Sequence, residues 1–166
     1  MRNALLLGSA ALLAMAPATR AAENDFTTFR VLAPPLALEL ARAALKSCQD
    51  RGFQVAVAVV DRFGVAQVVL RDALAGAHTP DTATAKARTA VSFRAATEEL
   101  SAATQAGQIN SAIRHIPGYV FLGGGVPVEG GGSILGGIGV SGAPGGADDD
   151  ACARAGLQAV EDRLMM

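Results

Sequence analysis

A segment of 22 residues with ten glycines, FLGGGVPVEGGGSILGGIGVSG at positions 121–142, limits what this chain can fold into more than any other feature. Glycine has no Cβ, so such a segment suits tight turns and close approach of backbones and is a poor helix former. Apolar residues recur on both sides of the glycine triplet at 130–132. This pattern predicts a β-hairpin that turns at the triplet, packed too closely to its neighbours for side chains.

The remaining elements follow from periodicity and turn residues. Helices are predicted over 34–51, from Thr79 through the alanine-rich segment, from Thr97 to Gly107, and from Asp148 to Leu164. Strands are predicted over 54–60, 65–71 and 119–123, in addition to the glycine hairpin. The order is α-β-β-α-α-β-β-β-α, and connections of hairpin length give antiparallel pairs, so the predicted class is α+β.

Two predictions concern packing. The run at 54–60 is almost continuously apolar, which indicates a strand buried on both faces and helices on each side of the sheet. In the alanine-rich helix, Ala83, Ala87 and Ala90 share one face, and we expect Lys86 and Arg88 to lie mostly off that face.

The first 21 residues have the pattern of a secretory signal peptide. Arg2 is followed by thirteen mostly apolar residues at positions 4–16 and by small residues near Ala21. The apolar run is shorter than the roughly 18 residues that a membrane-spanning helix needs. We therefore expect cleavage, a periplasmic or secreted protein without a membrane span, and a single mature domain over about 28–164.

The charge of the mature chain excludes one class of partner. Loss of Arg2 and Arg20 leaves 12 basic and 15 acidic side chains, and 12 minus 15 gives a formal charge of −3. A nucleic-acid-binding domain would show a basic patch or a strongly basic isoelectric point, and neither is present in this sequence. No nucleic-acid partner is expected.

The two cysteines, Cys48 and Cys152, both fall in predicted helices among small and apolar neighbours. An oxidising compartment would permit a disulfide, whereas a buried free thiol behaves as a small hydrophobic residue. We expect two free thiols.

Three short motifs suggest chemistry that their context does not support. Positions 137–142 spell GxGxxG, but no second parallel strand follows to complete a dinucleotide-binding unit. Ser141 lacks the final glycine of a GxSxG nucleophile turn. The acidic run Asp148 to Asp150 is expected to cap the last helix and interact with its dipole rather than to bind a metal.

The sequence resembles the GlcG/HbpS family, whose domain is also described as haem-degrading. The resemblance rests on Arg71 with Asp72, on the motif around Lys86 and Thr89, on VPV at 126–128, on GGIGVSG at 136–142, and on Asp149 with CARAG at 152–156. It covers most of the mature chain and implies an antiparallel sheet of about five strands flanked by helices, in a homo-oligomer that is often an octamer. It also implies haem binding for sequestration, relay or sensing, with slow haem degradation as a further activity.

Other functions remain open beside haem binding. One alternative is a cofactor-free oligomeric accessory protein of glycolate-type or diol-type metabolism, which the resemblance also implies. Another is an enzyme acting on a small molecule such as a hydroxy acid, although no arrangement of acid, base and nucleophile stands out in the sequence.

If haem is the ligand, few side chains can hold it. Imidazole, thiolate, thioether and phenolate are the groups that ligate haem iron. The mature chain offers them at His78, His115, Cys48, Cys152, Tyr119, Met165 and Met166. Loop histidines are well placed for binding, and we favour His78 as the iron ligand, with His115 second and Tyr119 as a further candidate. The haem propionates would bind cations, for which the candidates are Arg71, Lys86, Arg88 and Arg114.

Overall fold

A computed structural model of the chain describes residues 25–108 and 110–165. The predicted signal peptide lies outside the described residues. In chain order the elements are α1 (Pro34–Asp50), β1 (Ala56–Asp61), β2 (Ala66–Arg71), α2 (Thr79–Phe93), α3 (Thr97–Ala103), a 3₁₀ helix (Ser111–His115), β3 (Gly125–Gly130), β4 (Ser133–Ser141), α4 (Gly146–Gln158) and α5 (Glu161–Leu164). Over the described residues, no helix is long and apolar enough to cross a bilayer.

The four strands form one antiparallel sheet in the order β2-β1-β4-β3. The α+β class is therefore confirmed, but the sheet has four described strands rather than about five, because residues 119–123 do not form a strand. The Val120 N–H donates to the Thr89 hydroxyl at 2.9 Å, and Phe121 packs its ring against Phe93. Side-chain contacts with α2 thus replace the ladder that a strand would need.

The glycine segment forms the predicted hairpin. Strands β3 and β4 pair around a turn at Gly131 and Gly132, whose φ angles of 56° and 74° favour glycine. Strand β4 also pairs antiparallel with β1, which is incompatible with the parallel unit of a dinucleotide site. A Cβ on Gly139 would lie 2.0 Å from the Ala83 carbonyl oxygen, so glycine lets the backbone of α2 lie directly on β4.

Strand β1 is buried on both faces, as its apolar run predicted. On one face Val55, Val57 and Val59 belong to the main core with residues of α1 and α4. On the other face Ala56 and Ala58 pack against Ala83 of α2, and Val60 packs against Ala87 and Val91. Helices therefore lie on both sides of the sheet. Among the described residues, α1 and α4 pack on one face, and α2 is the long helix on the other face.

The prediction of two free thiols is wrong, because Cys48 and Cys152 form a disulfide between α1 and α4. The two helices approach closely: a Cβ on Gly156 would lie 2.8 Å from the Ala44 Cβ. This approach brings the two cysteine Cα atoms to 5.5 Å, within the range that a disulfide spans. Both residues are fully buried, so the predicted burial is correct and the missing information was the packing of α1 on α4.

Candidate ligand-binding site

A cavity of about 620 Å³ lies where five parts of the fold meet. The N-terminal turn of α2 supplies His78, Thr79 and Thr82, and its third turn supplies Lys86. The other walls come from the end of β4, the loop that leads into α4, the exposed face of α3, and the segment before β3. Its volume is in the range of small-molecule sites.

A buried ion pair forms the floor of this cavity. The Lys86 Nζ donates to Asp149 Oδ2 at 2.7 Å and to the Val140 carbonyl oxygen at 3.0 Å. The two side chains are only 3% and 5% exposed. The expectation that Lys86 lies off the apolar face is therefore wrong. Gly124, with φ of 113°, makes room for the ammonium, since a Cβ there would lie 3.1 Å from Nζ.

Asp149 is the site residue that the sequence analysis missed. Its Oδ1 accepts the Ala143 N–H at 3.0 Å, so the carboxylate joins α2, the loop after β4 and the start of α4. Burial raises the pKa of Asp149 above its ordinary value of 3.8, while the Lys86 charge and the hydrogen bonds oppose that rise. The sequence did contain an indication of this role. Lys86 lies in an alanine-rich helix, and a lysine that becomes buried there needs an acidic partner.

The other two members of the acidic run have separate roles. Asp148 pairs with Arg51, and Asp150 accepts from Arg154 Nε at 2.6 Å. The three carboxylates therefore have different partners. Within residues 25–108 and 110–165, no group of three or more acidic, histidine or cysteine side chains could hold a metal ion.

His78 lies at the mouth of the cavity. It occupies the N-cap position of α2 and is exposed, and its ring packs close to Gly76. Thr79 supports this turn by donating to the Gly76 carbonyl oxygen at 2.7 Å. The structure thus brings together His78 and Lys86, two of the predicted site residues.

The remaining predicted residues lie elsewhere. Arg71 donates to the carbonyl oxygens of Ala73 and Ala75 and so shapes the loop before α2. Arg88 donates to the Gly64 carbonyl oxygen at 3.3 Å, in the turn between β1 and β2.

Arg114, His115 and Tyr119 belong to a second region. Arg114 donates to the Thr104 and Ser101 carbonyl oxygens at 2.6 and 2.7 Å, and it lines a separate cavity of about 410 Å³ together with exposed His115. The Tyr119 ring packs edge-on against Phe93.

Comparison with known proteins identifies the family. The family model described as "Haem degrading protein HbpS-like" matches residues 32–158 of this chain. The chain belongs to the HbpS-like family. This confirms the resemblance stated from the motifs. The ion pair connects two of them, since Lys86 belongs to the motif around Lys86 and Thr89, and Asp149 belongs to the motif with CARAG at 152–156.

Two solved structures of relatives share the fold. A crystal structure of a double mutant of HbpS from Streptomyces reticuli is 41% identical, with a TM-score of 0.76, covering 87% of this chain and 97% of that one. A crystal structure of a PduOC–haem complex is 32% identical, with a TM-score of 0.73, covering 78% of this chain and 94% of that one.

A curated relative is much longer than the present chain. The corrinoid adenosyltransferase PduO of Salmonella typhimurium is 36% identical over 106 residues, which are 63% of this chain. The match spans 32% of the relative's length. The likeness therefore concerns about a third of that protein.

Proposed function

We propose that this protein binds haem in the cavity above the Lys86–Asp149 pair, with His78 as the ligand to the iron. Membership of the HbpS-like family and the haem complex of the PduOC relative support haem as the ligand. The observation that carries the choice of site is the position of His78 at the mouth of this cavity. His115 lies on the 3₁₀ helix beside another cavity.

The residues around the cavity fit the chemistry of haem. An exposed imidazole can ligate the iron centre that haem supplies when bound. The Lys86 ammonium is a partner for a propionate, and Leu122, Ala143 and Pro144 add apolar surface for the ring. Arg71, the last residue of β2, is the nearest cation before His78 along the chain.

A haemin titration of the mature protein tests this proposal. The wild-type protein contains one tyrosine and no tryptophan, so a bound haem would dominate its absorption spectrum. We expect His78→Ala to shift the Soret band and weaken binding, and His115→Ala, the matched control, to leave both unchanged. An unchanged spectrum in His78→Ala would remove this histidine as ligand. Protein that stays colourless after gel filtration would instead favour the cofactor-free accessory function.

We also propose that the protein is exported. The signal-like sequence at 1–21 and the buried disulfide both suit an oxidising compartment outside the cytoplasm. Fractionation of a native host, with N-terminal sequencing of the protein, is the direct test. Mature protein that begins near Ala22 in the periplasm or medium is the expected result, and cytoplasmic protein that begins at Met1 would contradict it.

The proposed assembly is a homo-oligomer, which in proteins of the family that the sequence resembles is often an octamer. Two leucine side chains near the cavity are exposed. Leu122 lines the cavity and is 52% exposed, and Leu74 lies two residues before the cavity residue Gly76 and is 83% exposed. A second copy packed there would cover both side chains and add apolar surface beside the cavity. Sedimentation at micromolar concentration is expected to show an oligomer, and a monomer would contradict this proposal.

A further inference from the structure

We propose that one end of the molecule docks on the surface of a bilayer that contains anionic lipids. This part, which we call the hairpin end, consists of the turns after β1 and β3, the C-terminal end of α2 and the segment at 25–31. The inference does not require haem, because the proposed haem cavity lies at the other end of β4, beside Ser141 and Gly142.

The antiparallel sheet brings the parts of the hairpin end together. Asp61, the last residue of β1, pairs with Gly136 near the start of β4, so the turn after β1 lies beside the turn before β4. Helix α2 runs toward the same end, where Ile134 packs against the cluster that contains Val91. The chain before α1 arrives there as well, since a Cβ on Gly136 would lie 3.2 Å from Leu32 Cδ1.

The hairpin end exposes large apolar side chains. It contains three of the six phenylalanines of the chain, and Phe26, Phe29 and Phe63 are between 50% and 82% exposed. Val31 and Val65 beside them are exposed as well. Exposed apolar side chains that lie together indicate an interaction surface.

The turn that presents Phe63 and Val65 has a defined shape. Asp61 Oδ1 accepts the backbone N–H groups of these two residues at 2.8 and 3.0 Å, and Gly64 has a φ of 80°, which favours glycine. The Phe63 ring contacts the Phe29 ring edge-on, with 5.7 Å between the centroids. The two rings therefore hold each other at the surface, outside the core.

Arginines lie among these apolar side chains. The Arg62 guanidinium lies over the Phe29 ring, 4.0 Å from its centroid. Arg62 and Arg94 line a cavity of about 340 Å³ at the glycine turn, and a Cβ on Gly131 would lie 2.6 Å from Arg30 Nη1. Over residues 25–108 and 110–165, none of these three arginines forms an ion pair with a carboxylate. Their guanidinium groups can therefore bind phosphate oxygens.

The hairpin end is positively charged, whereas the mature chain has a formal charge of −3. Four arginines and three carboxylates give the hairpin end a formal charge of +1. The residues counted are Arg30, Arg62, Arg88, Arg94, Asp25, Asp61 and Glu129. Exposed aromatic side chains beside arginines suit a lipid headgroup layer, where apolar groups enter the acyl boundary and cations bind the phosphates.

The course of the chain favours a bilayer over a soluble partner. Asp25 is the first described residue, and the apolar run at 4–16 precedes it by a few residues in the sequence. Eight residues, 17–24, separate the two and can span at most roughly 30 Å. While that run is in the membrane during the proposed export, the hairpin end is the part of the fold held next to the bilayer. The inference rests on the proposed export at this step alone.

A single tryptophan can report contact with the bilayer, because the chain has none of its own. Phe63→Trp places the reporter at the hairpin end, and Leu74→Trp is the matched control, exposed beyond the other end of β2. Each mature protein, with its disulfide intact, is mixed with vesicles of phosphatidylcholine and phosphatidylglycerol, or of phosphatidylcholine alone. We expect the anionic vesicles to shift the emission of Phe63→Trp to shorter wavelength and to leave that of Leu74→Trp unchanged.

Vesicle flotation measures how strongly each variant binds. Arg62→Gln should weaken binding to the anionic vesicles about fivefold, the effect of one basic residue near an anionic surface. Phe63→Ser should weaken it about tenfold, since burial of a phenylalanine side chain has an effect of that order. Arg42→Gln, an exposed arginine of α1 outside the hairpin end, should bind like the wild-type protein. Added salt should weaken wild-type binding.

The absence of binding to the anionic vesicles, or equal binding to neutral and anionic vesicles, would overturn the inference. Equal emission shifts at positions 63 and 74 would do the same. Sedimentation of Phe63→Ser tests whether a second copy of the chain covers this face, because a smaller assembly than that of the wild-type protein would assign the face to a subunit contact and overturn docking on lipid. A failed haemin titration would change none of these results, so the two proposals fail separately.

Discussion

The positively charged ammonium of Lys86 is buried, and the Asp149 carboxylate neutralises its charge. Removal of one partner of a buried ion pair leaves an unpaired charge, which typically costs about 3–5 kcal/mol. Lys86→Met should therefore lower the free energy of unfolding in denaturant by about 3 kcal/mol. Lys46→Met is the matched control, because its pair with Asp50 is exposed at both ends and should contribute less than about 1 kcal/mol. Equal losses in the two variants would contradict this account of the pair.

The pKa of Asp149 gives a second prediction at this scale. Burial raises it above 3.8, so the folded protein holds the proton more tightly than the unfolded chain does. The contribution of Asp149 to the free energy of unfolding therefore falls as the pH rises from about 3.8 through the folded pKa. A carboxyl-carbon NMR titration should give a midpoint above 3.8, and Lys86→Met should raise it further, because the lysine charge lowers it. A lower midpoint in the variant would contradict the pairing.

The sequence pointed to individual residues better than to their grouping. His78 and Lys86 were predicted as site residues, and the structure places both at one cavity. Arg88 and Arg114 were selected for charge alone, but each bonds to a carbonyl oxygen of a distant turn or helix. Asp149 was interpreted as a helix cap, since a capping residue and a buried partner have the same local sequence.

At the scale of elements, the glycines of β4 set the distance between the sheet and α2. A Cβ at Gly139 would lie 2.0 Å from the Ala83 carbonyl oxygen, so Gly139→Ala should force α2 away from β4 and destabilise the fold by about 3 kcal/mol. Gly145→Ala is the control, because the nearest atom to its Cβ would be 3.9 Å away. Denaturant unfolding of both variants is the measurement, and a Gly139→Ala protein as stable as the control would contradict close packing.

Elements with a strong local pattern were predicted correctly. The glycine triplet, the proline start of α1 and the apolar run of β1 each specify their own conformation, and the structure has the hairpin, the helix and the doubly buried strand. The strand predicted at residues 119–123 was wrong. A short apolar run has no period that could distinguish a strand from a segment that packs on a helix.

At the scale of the whole molecule, the disulfide links α1 to α4 through two cysteines that are 104 residues apart in sequence. Closing so long a loop restricts the unfolded chain, which raises the free energy of unfolding by about 3–5 kcal/mol. The double variant Cys48→Ala, Cys152→Ala should lose stability of that order in denaturant, and the oxidised wild-type protein should show no reactive thiol after unfolding. Two reactive thiols in the purified mature protein would contradict the bond.

The cysteine pairing shows why whole-molecule contacts were beyond sequence reasoning. Each cysteine was correctly predicted to be buried, but their bonding depends on the approach of α1 to α4 at Ala44 and Gly156. The cavity has the same origin, because α2, α3, β4 and α4 each supply part of its wall. A local pattern specifies an element, whereas the position of one element against another depends on the complete core.

The most direct test of the central claim is the position of iron in crystals of the mature protein grown with haemin. Anomalous scattering at the iron edge locates the metal without assumptions about the surrounding density. The account predicts one iron per chain beside the His78 imidazole, at the mouth of the cavity whose floor is the Lys86–Asp149 pair. Iron beside His115, or iron remote from both histidines, would contradict it.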